Sequence, residues 1–196
     1  MIVFDIEASG TNVEKHGILA IGAIDTLNIS NTFEGKCRLR EGAHIDPDAM
    51  KYNGFNEKEI HSLELKTEEQ LVSDFIRFAM RSDDHTLAGQ SPIFDINFLR
   101  TAIERYGMNW PFAHRSIDLH SVCITHLAMR GREYPVLKNR TGLDSDSIMT
   151  YVGIPLEPKP HTSAFNGAVW EAEAFSRLLY GKNLLPQFSK YKMKHL

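Results

Sequence analysis

The sequence is poor in cysteine and contains no long apolar run. Cys37 and Cys123 are the only cysteines in 196 residues, and their wide separation lacks metal-ligand spacing, so we expect reduced thiols without a disulfide framework. The N-terminal apolar stretch is interrupted at Asp5 and has no basic leader segment, and no run approaches the length of a membrane span. We therefore expect a soluble, cytoplasmic protein with no membrane partner.

An excess of basic charge is missing as well. Lys and Arg number 22 against 25 Asp and Glu, for a net charge of −3, which excludes a protein that coats nucleic acid through overall charge. A nucleic-acid substrate remains compatible, because a bound cation can neutralise a local group of acids. Repeats and low-complexity segments are absent. The composition, 42% apolar, predicts one globular domain over residues 1–182 and a basic tail over 183–196.

The chain does have a pair of acids in its first strand. Residues 1–7 read as a buried strand that carries Asp5 and Glu7, whose side chains share a face because they are two positions apart. The intervening apolar residues take the opposite face. Two adjacent anions inside a sheet are costly unless a cation joins them. The pattern therefore predicts a hard divalent ion, Mg²⁺ or Mn²⁺, at this strand.

The rest of the chain predicts a mixed sheet flanked by helices. Strands at 17–25 and 29–39 complete an antiparallel meander, and short strands follow at 86–90 and 116–118. Residues 131–143 read as irregular and basic. Helices are expected as one or two short segments within 46–65 and over 67–81, 94–106, 119–130, 145–152 and 163–180.

Three polar residues outside the first strand complete a candidate site. Asp95 stands where a strand gives way to a helix, and alone it would be read as an acid that complements the helix dipole. His161 and Asn166 stand together at the start of the last helix. Each of these two, taken alone, would be an ordinary loop histidine and an ordinary helix cap.

Together these residues resemble the three sequence motifs of the DEDDh family of DnaQ-like 3′→5′ exonucleases. The matching segments are Phe4-Asp-Ile-Glu-Ala-Ser-Gly10, Phe94-Asp95 and His161-x₄-Asn166, and their order and separations agree over most of the chain. The resemblance implies an α/β fold of the ribonuclease H-like class. Its five-stranded mixed sheet has three antiparallel strands followed by parallel strands, flanked by helices.

The resemblance also implies a role for each matched residue. Asp5, Glu7 and Asp95, with an acid at the position of Asn166, are expected to hold two Mg²⁺ or Mn²⁺ ions, and His161 is expected to be the general base. The expected reaction releases 5′-mononucleotides from the 3′ ends of DNA or RNA, with single strands preferred. Residues expected to bind the terminal nucleotide are Ala8, Ser9, Gly10, Thr11, Phe55 and Phe94, of which the two phenylalanines fit a hydrophobic core better.

Basic residues outside the motifs have two interpretations. Arg132, Lys138, Arg140 and the tail lysines could follow a phosphate backbone or form an ordinary solvated face. The sequence does not choose between them.

The largest departure from the family pattern is Asn166, where the family places an aspartate. Asparagine keeps one carbonyl oxygen but removes a negative charge, so metal affinity and turnover should fall. We interpret Asn166 as an Asp-to-Asn change made to hold substrate uncleaved. Natural divergence to a weak enzyme or an inactive nucleic-acid-binding module stays open, as does an interaction module in which the acids serve only structure. The choice of DNA or RNA, the pathway, and a homodimer or larger processing complex are left open as well.

Overall fold

The structure, a computed structural model, describes residues 1–161 and 163–193. Its main sheet contains β1 (Ile2–Ala8), β2 (Ile18–Asp25), β3 (Thr32–Lys36), β4 (Leu87–Gly89) and β5 (Ser116–Asp118). The strand order is β3-β2-β1-β4-β5. The first three strands pair antiparallel, whereas β4 runs parallel to β1 and β5 parallel to β4. The predicted α/β class, with a five-stranded mixed sheet of the ribonuclease H-like type, is confirmed.

Helices cover both faces of this sheet. They are α1 (Pro47–Asn53), α2 (Glu57–Ile60), α3 (Glu68–Ala79), α4 (Ile93–Arg105), α5 (Leu119–Met129), α6 (Ser145–Val152) and α7 (Ala164–Tyr180), followed by a 3₁₀ turn at Pro186–Phe188. The predicted capping box at the start of α3 is present, with Gln70 N–H donating to Thr67 Oγ1 and Thr67 N–H donating to Gln70 Oε1. The helix ends agree with the predicted ends because such capping signals are local.

Two segments differ from the sequence prediction. β3 is shorter than the predicted 29–39, because the chain before it forms a turn in which Asn31 N–H donates to Asn28 O. The segment predicted as irregular contains a small hairpin, β6 (Val136–Leu137) and β7 (Arg140–Thr141). Lys138 and Asn139 between these strands both have positive φ, as a two-residue type I′ turn requires.

β1 is the centre of the sheet and separates two hydrophobic cores. Ile2, Phe4 and Ile6 lie in the core formed with α3 and α4. Val3 lies in the other core, with α5 and α7. Asp5 and Glu7 alternate with the first set and therefore face α7, as the strand period predicted.

The start of α7 approaches the sheet closely, and two glycines permit this approach. A Cβ on Gly22 of β2 would lie 2.0 Å from the backbone nitrogen of Phe165. A Cβ on Gly167 would lie 2.5 Å from Asp5 Oδ2. Any side chain at either position would push the helix away from β1 and β2, so these glycines determine how near α7 comes to the acids of β1.

The far end of α7 holds the segment that follows it. Arg177 is fully buried, pairs with Glu173 at 2.7 Å and donates to the carbonyl oxygens of Phe188 and Tyr191. Glu173 also accepts the N–H groups of residues 184 and 185 at 2.9 Å. This network and the buried Phe188 anchor the first part of the segment predicted as a basic tail; residues 194–196 lie outside the described residues.

Over the described residues, none of the helices is both long and apolar enough to cross a bilayer.

Candidate active site

Acidic side chains from five parts of the chain, including Asp46 and Asp48 at the start of α1, meet in one open cavity of about 500 Å³. The cavity lies where β1, α1, the β4–α4 junction and the start of α7 come together. Its wall includes Asp5 and Glu7 from β1, Asp95 from α4, Glu157 from the loop before α7, and Glu171 from α7 itself. His161 completes the wall beside Glu157. The three acids predicted from sequence as metal ligands therefore do converge, although they are up to 90 positions apart in the chain.

Burial and mutual repulsion disfavour the charged forms of these acids. Burial, with the nearby charge of Glu157, raises the pKa of Asp5 to about 7. Burial and the charge of Asp5 raise the pKa of Glu7 to about 9. The pKa values of Asp95 and Glu171 are also raised well above the ordinary range, first by burial and then by Asp5. A group of buried acids without a cation binds protons instead, which is the electrostatic signature of a site that a metal ion would complete.

Backbone hydrogen bonds fix two of the acids in place. Asp95 Oδ1 accepts the N–H of Ile6 at 3.0 Å, which ties the start of α4 to the middle of β1. Glu171 Oε2 accepts the N–H of Gln90 at 3.0 Å, which ties α7 to the end of β4. Each bond joins a carboxylate on a helix to the backbone of a strand or strand end beside the cavity, so the fold fixes the positions of these acids.

His161 is held between a carboxylate and an aromatic ring. Its Nδ1 lies 3.0 Å from Glu157 Oε2, and its ring stacks on Tyr52 with centroids 4.8 Å apart. Burial, with the nearby charge of Lys159, lowers the pKa of this imidazole, and Asp5 acts in the opposite direction. With Nδ1 turned to Glu157, Nε2 is the ring nitrogen available to take a proton.

The residues predicted to bind the terminal nucleotide divide into two groups. Ala8, Gly10, Thr11 and Phe94 line the cavity. Ser9 lies beneath it, where its hydroxyl donates to His44 O and accepts from Gly17 N–H.

Phe55, the remaining predicted contact, is only 7% exposed and packs in a separate core cluster. This is the core position that its apolar character favoured. Its predicted role in binding a base stays a prediction, as do the roles of the other site residues.

Asn166 does not belong to the cavity wall as described. The α7 residues that line the cavity are Gly167 and Glu171, which are four positions apart and therefore share a helix face. Asn166 is half-buried, and its backbone N–H donates to Ser163 at the helix cap. Its predicted role as a metal ligand remains a prediction.

Sequence reasoning missed Glu157 and Glu171. Glu157 stands four residues before His161, and its only signal was an acid near a candidate general base in a proline-rich loop. Glu171 had a clearer signal, because it stands at i+4 from Gly167, the residue after the last motif, and so on the same face of the predicted helix. The family pattern includes position 166 and neither of these two glutamates.

The donor set fits a hard divalent cation. Besides the acids, the cavity wall contains the amide oxygens Asn53 Oδ1 and Gln90 Oε1, which are buried without a hydrogen-bond partner among the described residues. Unsatisfied oxygens and raised carboxylate pKa values both favour a cation that prefers oxygen ligands. Within the described residues, no three His, Cys, Asp or Glu side chains already stand in a metal-binding arrangement.

A larger cavity elsewhere lacks this chemistry. About 620 Å³ in volume, it lies between β5, α5 and the end of α7. Asp118 is its only acid, and that carboxylate accepts hydrogen bonds from the N–H groups of Ser91 and Ser121. The smaller cavity is therefore the candidate active site, because size without converging functional groups does not indicate catalysis.

This fold and this site define a class, the ribonuclease H-like nucleases with an acidic centre. The chain belongs to the exonuclease family, whose sequence profile matches residues 2–162. The resemblance drawn from the three motifs is thereby confirmed at the level of the family.

Known relatives agree with this assignment. Ribonuclease T of Klebsiella pneumoniae subsp. pneumoniae is 26% identical over 141 residues, which cover 65% of each chain. Exonuclease I of E. coli in complex with a dA16 oligonucleotide has a similar fold, with a TM-score of 0.71 and 16% identity over 92% of this chain. The cell-death related nuclease 4 has a TM-score of 0.71 and 13% identity over 93% of this chain. This chain spans 65% of the length of ribonuclease T and 40% of the exonuclease I chain.

Proposed function

We propose that this chain is a metal-dependent 3′→5′ exonuclease that releases 5′-mononucleotides, with single-stranded DNA or 3′ overhangs slightly favoured over RNA. The observation that carries the proposal is the convergence of Asp5, Glu7 and Asp95 with His161 in one open cavity. This is a set of oxygen donors and a base suited to hydrolysis of a phosphodiester. The exonuclease I structures with dA16 and dT13 support single-stranded DNA as the substrate class.

Asp5, Glu7 and Asp95 bind two divalent cations, Mg²⁺ or Mn²⁺. When bound, the ions lower the pKa of an attacking water and stabilise the charge that develops on the phosphate. The cations also relieve the repulsion that raises the pKa values of these acids. Gln90 and Asn53 contribute neutral oxygens at the edge of the site.

His161 accepts the proton of the attacking water at Nε2. Glu157 holds Nδ1 on the other side of the ring, which fixes the tautomer and favours the protonated imidazole that forms during the reaction. Phe94, which is 36% exposed at the cavity, packs against the terminal base, and the backbone around Gly10 lies beside its sugar.

Glu171 and Glu157 compensate for the neutral Asn166. Both are buried at the cavity. Burial and then the charge of Glu157 raise the pKa of Asp5, and burial and then the charges of Asp5 and Asp95 raise the pKa of Glu171. The acid that the family carries at position 166 is therefore replaced by charge from neighbouring positions. We expect the chain to retain activity, reduced by Asn166 but not abolished.

The experiment is a digestion of matched DNA and RNA oligonucleotides, single- and double-stranded, labelled at the 5′ end. Stepwise shortening of the labelled strand with Mg²⁺ or Mn²⁺, and none with EDTA, is expected, fastest on single-stranded DNA. The Asp95→Asn variant is the inactive control. We expect Asn166→Asp to raise turnover by about tenfold or less, since one added charge near a metal ion is worth about 1 kcal/mol. If neither form releases mononucleotides, the proposal is wrong.

Ribonuclease T supplies the second candidate, an exoribonuclease. The specific observation in its favour is the 26% identity over 141 residues. Faster shortening of the RNA strands than of the matched DNA strands in the same digestion would select it.

A further inference from the structure

A basic hairpin projects from the wall of the candidate active site. We name residues 131–142 the arm; it contains β6 and β7. All residues from 131 to 140 are exposed. Tyr134, Val136 and Leu137 in the arm are 41%, 64% and 60% exposed. An isolated two-stranded hairpin with uncovered apolar side chains is marginally stable in water. We therefore expect another molecule to pack against the arm and stabilise it.

The arm carries positive charge that the described residues leave unneutralised. Lys138 and Arg140 form no ion pair within the described residues, and Arg132 lies over the ring of Tyr151. Glu133 is the only acid in the arm. The protein as a whole has a charge of −3, so this local surplus is opposite in sign to the molecule that carries it.

Apolar and cationic groups alternate in a way that suits a nucleic-acid strand. Leu137 lies directly opposite Arg140 in the hairpin, and directly opposite residues share a face. Lys138 occupies the turn, with φ of 49°. Lys138 at the tip and Arg140 beside Leu137 place cationic and apolar groups next to one another, which suits the phosphates, sugars and bases of a single strand.

The base of the arm is joined to the catalytic cavity. Gln90 Nε2 donates to Leu143 O at 3.2 Å, and Gln90 lines the cavity and binds Glu171 through its backbone N–H. His120 Nε2 lies 2.5 Å from Thr141 Oγ1, which ties β7 to α5. Ser145, two residues after Leu143, lines the cavity. The base of the arm therefore lies at the edge of the cavity.

We propose that the arm binds the sugar–phosphate backbone of the substrate strand behind the 3′ end that occupies the cavity. Lys138 and Arg140 contact phosphates, and Tyr134 and Leu137 contact the intervening bases or sugars. The proposal rests on the proposed exonuclease function. The occupant is a single-stranded nucleic acid rather than a second copy of this chain, because a nucleic-acid strand carries one negative charge per nucleotide, whereas a copy carries a net charge of only −3 over 196 residues.

Strand length provides the test. The turn of the arm is five residues from Leu143, roughly 17 Å at about 3.3 Å per residue, so a dinucleotide in the cavity does not reach it. Affinity for a 20-nucleotide single strand is measured by fluorescence anisotropy across a salt series, in the Asp95→Asn background. Hydrolysis of a dinucleotide is measured separately in the active form.

The variant is Lys138→Gln/Arg140→Gln. Each lost phosphate contact should reduce the slope of log affinity against log salt by about 0.7, so the double variant loses about 1.4 and binds the 20-mer roughly 10- to 25-fold more weakly at 0.1 M salt. Dinucleotide hydrolysis should not change. The matched control, Lys182→Gln/Lys190→Gln, removes the same charge from the segment after α7, outside the residues that line the cavity. It should leave the slope nearly unchanged.

Two results would overturn the proposal. One is an unchanged 20-mer affinity and salt slope in the arm variant. The other is a change of the same size in the Lys182→Gln/Lys190→Gln control, which would mean that the overall charge of the protein, and not the arm, determines the affinity. A shift in the oligomeric state of the arm variant on gel filtration, with unchanged affinity, would assign the arm to contact between copies instead. If the unaltered chain does not hydrolyse the dinucleotide, the proposed function is wrong. The binding series in the Asp95→Asn background would still decide the role of the arm.

Discussion

Two glutamates on α7, two positions apart, show opposite uses of buried charge. Glu173 is fully buried, and its carboxylate is paired with Arg177 and accepts two backbone N–H groups. Glu171 is 6% exposed, and burial, together with the charges of Asp5 and Asp95, raises its pKa. Two positions in a helix turn a side chain by about 200°, which places one acid in the structural core and the other in the candidate site.

The difference separates stability from function. In the Glu173 network both buried charges are paired and hydrogen-bonded, so the network anchors the C-terminal segment. The acids around Glu171 must bind protons or a cation to remain buried, which costs stability at pH values where they ionise and prepares a metal site. Neutralising substitutions should therefore have opposite effects on folding in the two regions.

The largest effect is expected from Asp5→Asn. Exonuclease activity should fall by about a thousandfold or more, because loss of even a supporting partner of a metal ligand costs about 10–100-fold. The metal-free variant should melt at a higher temperature than the unaltered chain, since the change removes a repelling buried charge. Initial rates with a labelled single strand and thermal unfolding in EDTA measure the two effects. A lower melting temperature in EDTA would contradict the description of this region as electrostatically strained.

Next in size is Arg177→Met in the structural region. Removing one partner leaves Glu173 buried without its cation, which should lower the free energy of unfolding by about 3–5 kcal/mol. Activity per folded molecule should be unchanged below the unfolding transition. Urea unfolding and rates at low temperature check both points.

The double variant Glu173→Leu/Arg177→Met is the control for Arg177→Met. Glu173 also accepts two backbone N–H groups, so part of the loss remains, but the uncompensated charge is gone. It should be more stable than Arg177→Met alone; equal or lower stability would show that the charge imbalance is not the cause.

Glu157→Gln tests the contact between Glu157 and His161, 3.0 Å apart. The amide can still accept a hydrogen bond but does not favour the protonated imidazole, so kcat should fall by about 10–100-fold. KM should change little, and the acidic limb of the pH profile should move to lower pH because the imidazole loses an anionic neighbour. Rates from pH 5 to 9 measure all three. A rise in KM without a change in kcat would assign Glu157 to substrate binding.

The smallest effect concerns pH and metal. Folded-state pKa values of about 7 for Asp5 and about 9 for Glu7 exceed the unfolded values, so these acids stabilise the metal-free fold at low pH and that stability is lost as pH rises from about 4 to 9. A divalent cation favours the charged forms. The rise in melting temperature on adding Mg²⁺ should therefore be a few °C larger at pH 8 than at pH 5.5.

The matched control for the pH experiment is the double variant Asp5→Asn/Glu7→Gln. It lacks the titrating pair, so its melting temperature should respond to Mg²⁺ weakly and equally at both pH values. An equal response of the unaltered chain at pH 5.5 and 8 would mean that these acids are already charged in the metal-free fold.

Much of the fold could be predicted from local patterns. The capping box at Thr67 located α3, and the glycine at 181 marked the end of α7. The hairpin at 136–141 was missed because its turn uses Lys138 and Asn139 at positive φ, where glycine is the usual signal.

The site was predicted in part. Alternation along β1 placed Asp5 and Glu7 on one face, and the motif pattern added Asp95 and His161. Glu157 became recognisable only through its contact with His161, because that contact depends on the path of a proline-rich loop that no periodic pattern describes. Phe55 and Phe94 could not be separated by sequence, since burial distinguishes them and residue type does not.

The sequence by itself determined the class of fold, the central acidic strand and the family. Hydrophobic periodicity, helix capping and motif spacing are properties of the chain itself, so they can be recognised without knowing the tertiary structure. Only the tertiary structure decided which acids of α7 and its preceding loop meet the strand. That choice depends on how closely α7 approaches β1, which the absence of side chains at Gly22 and Gly167 permits. The geometry of approach between distant segments is a property of packing, and no single segment contains it.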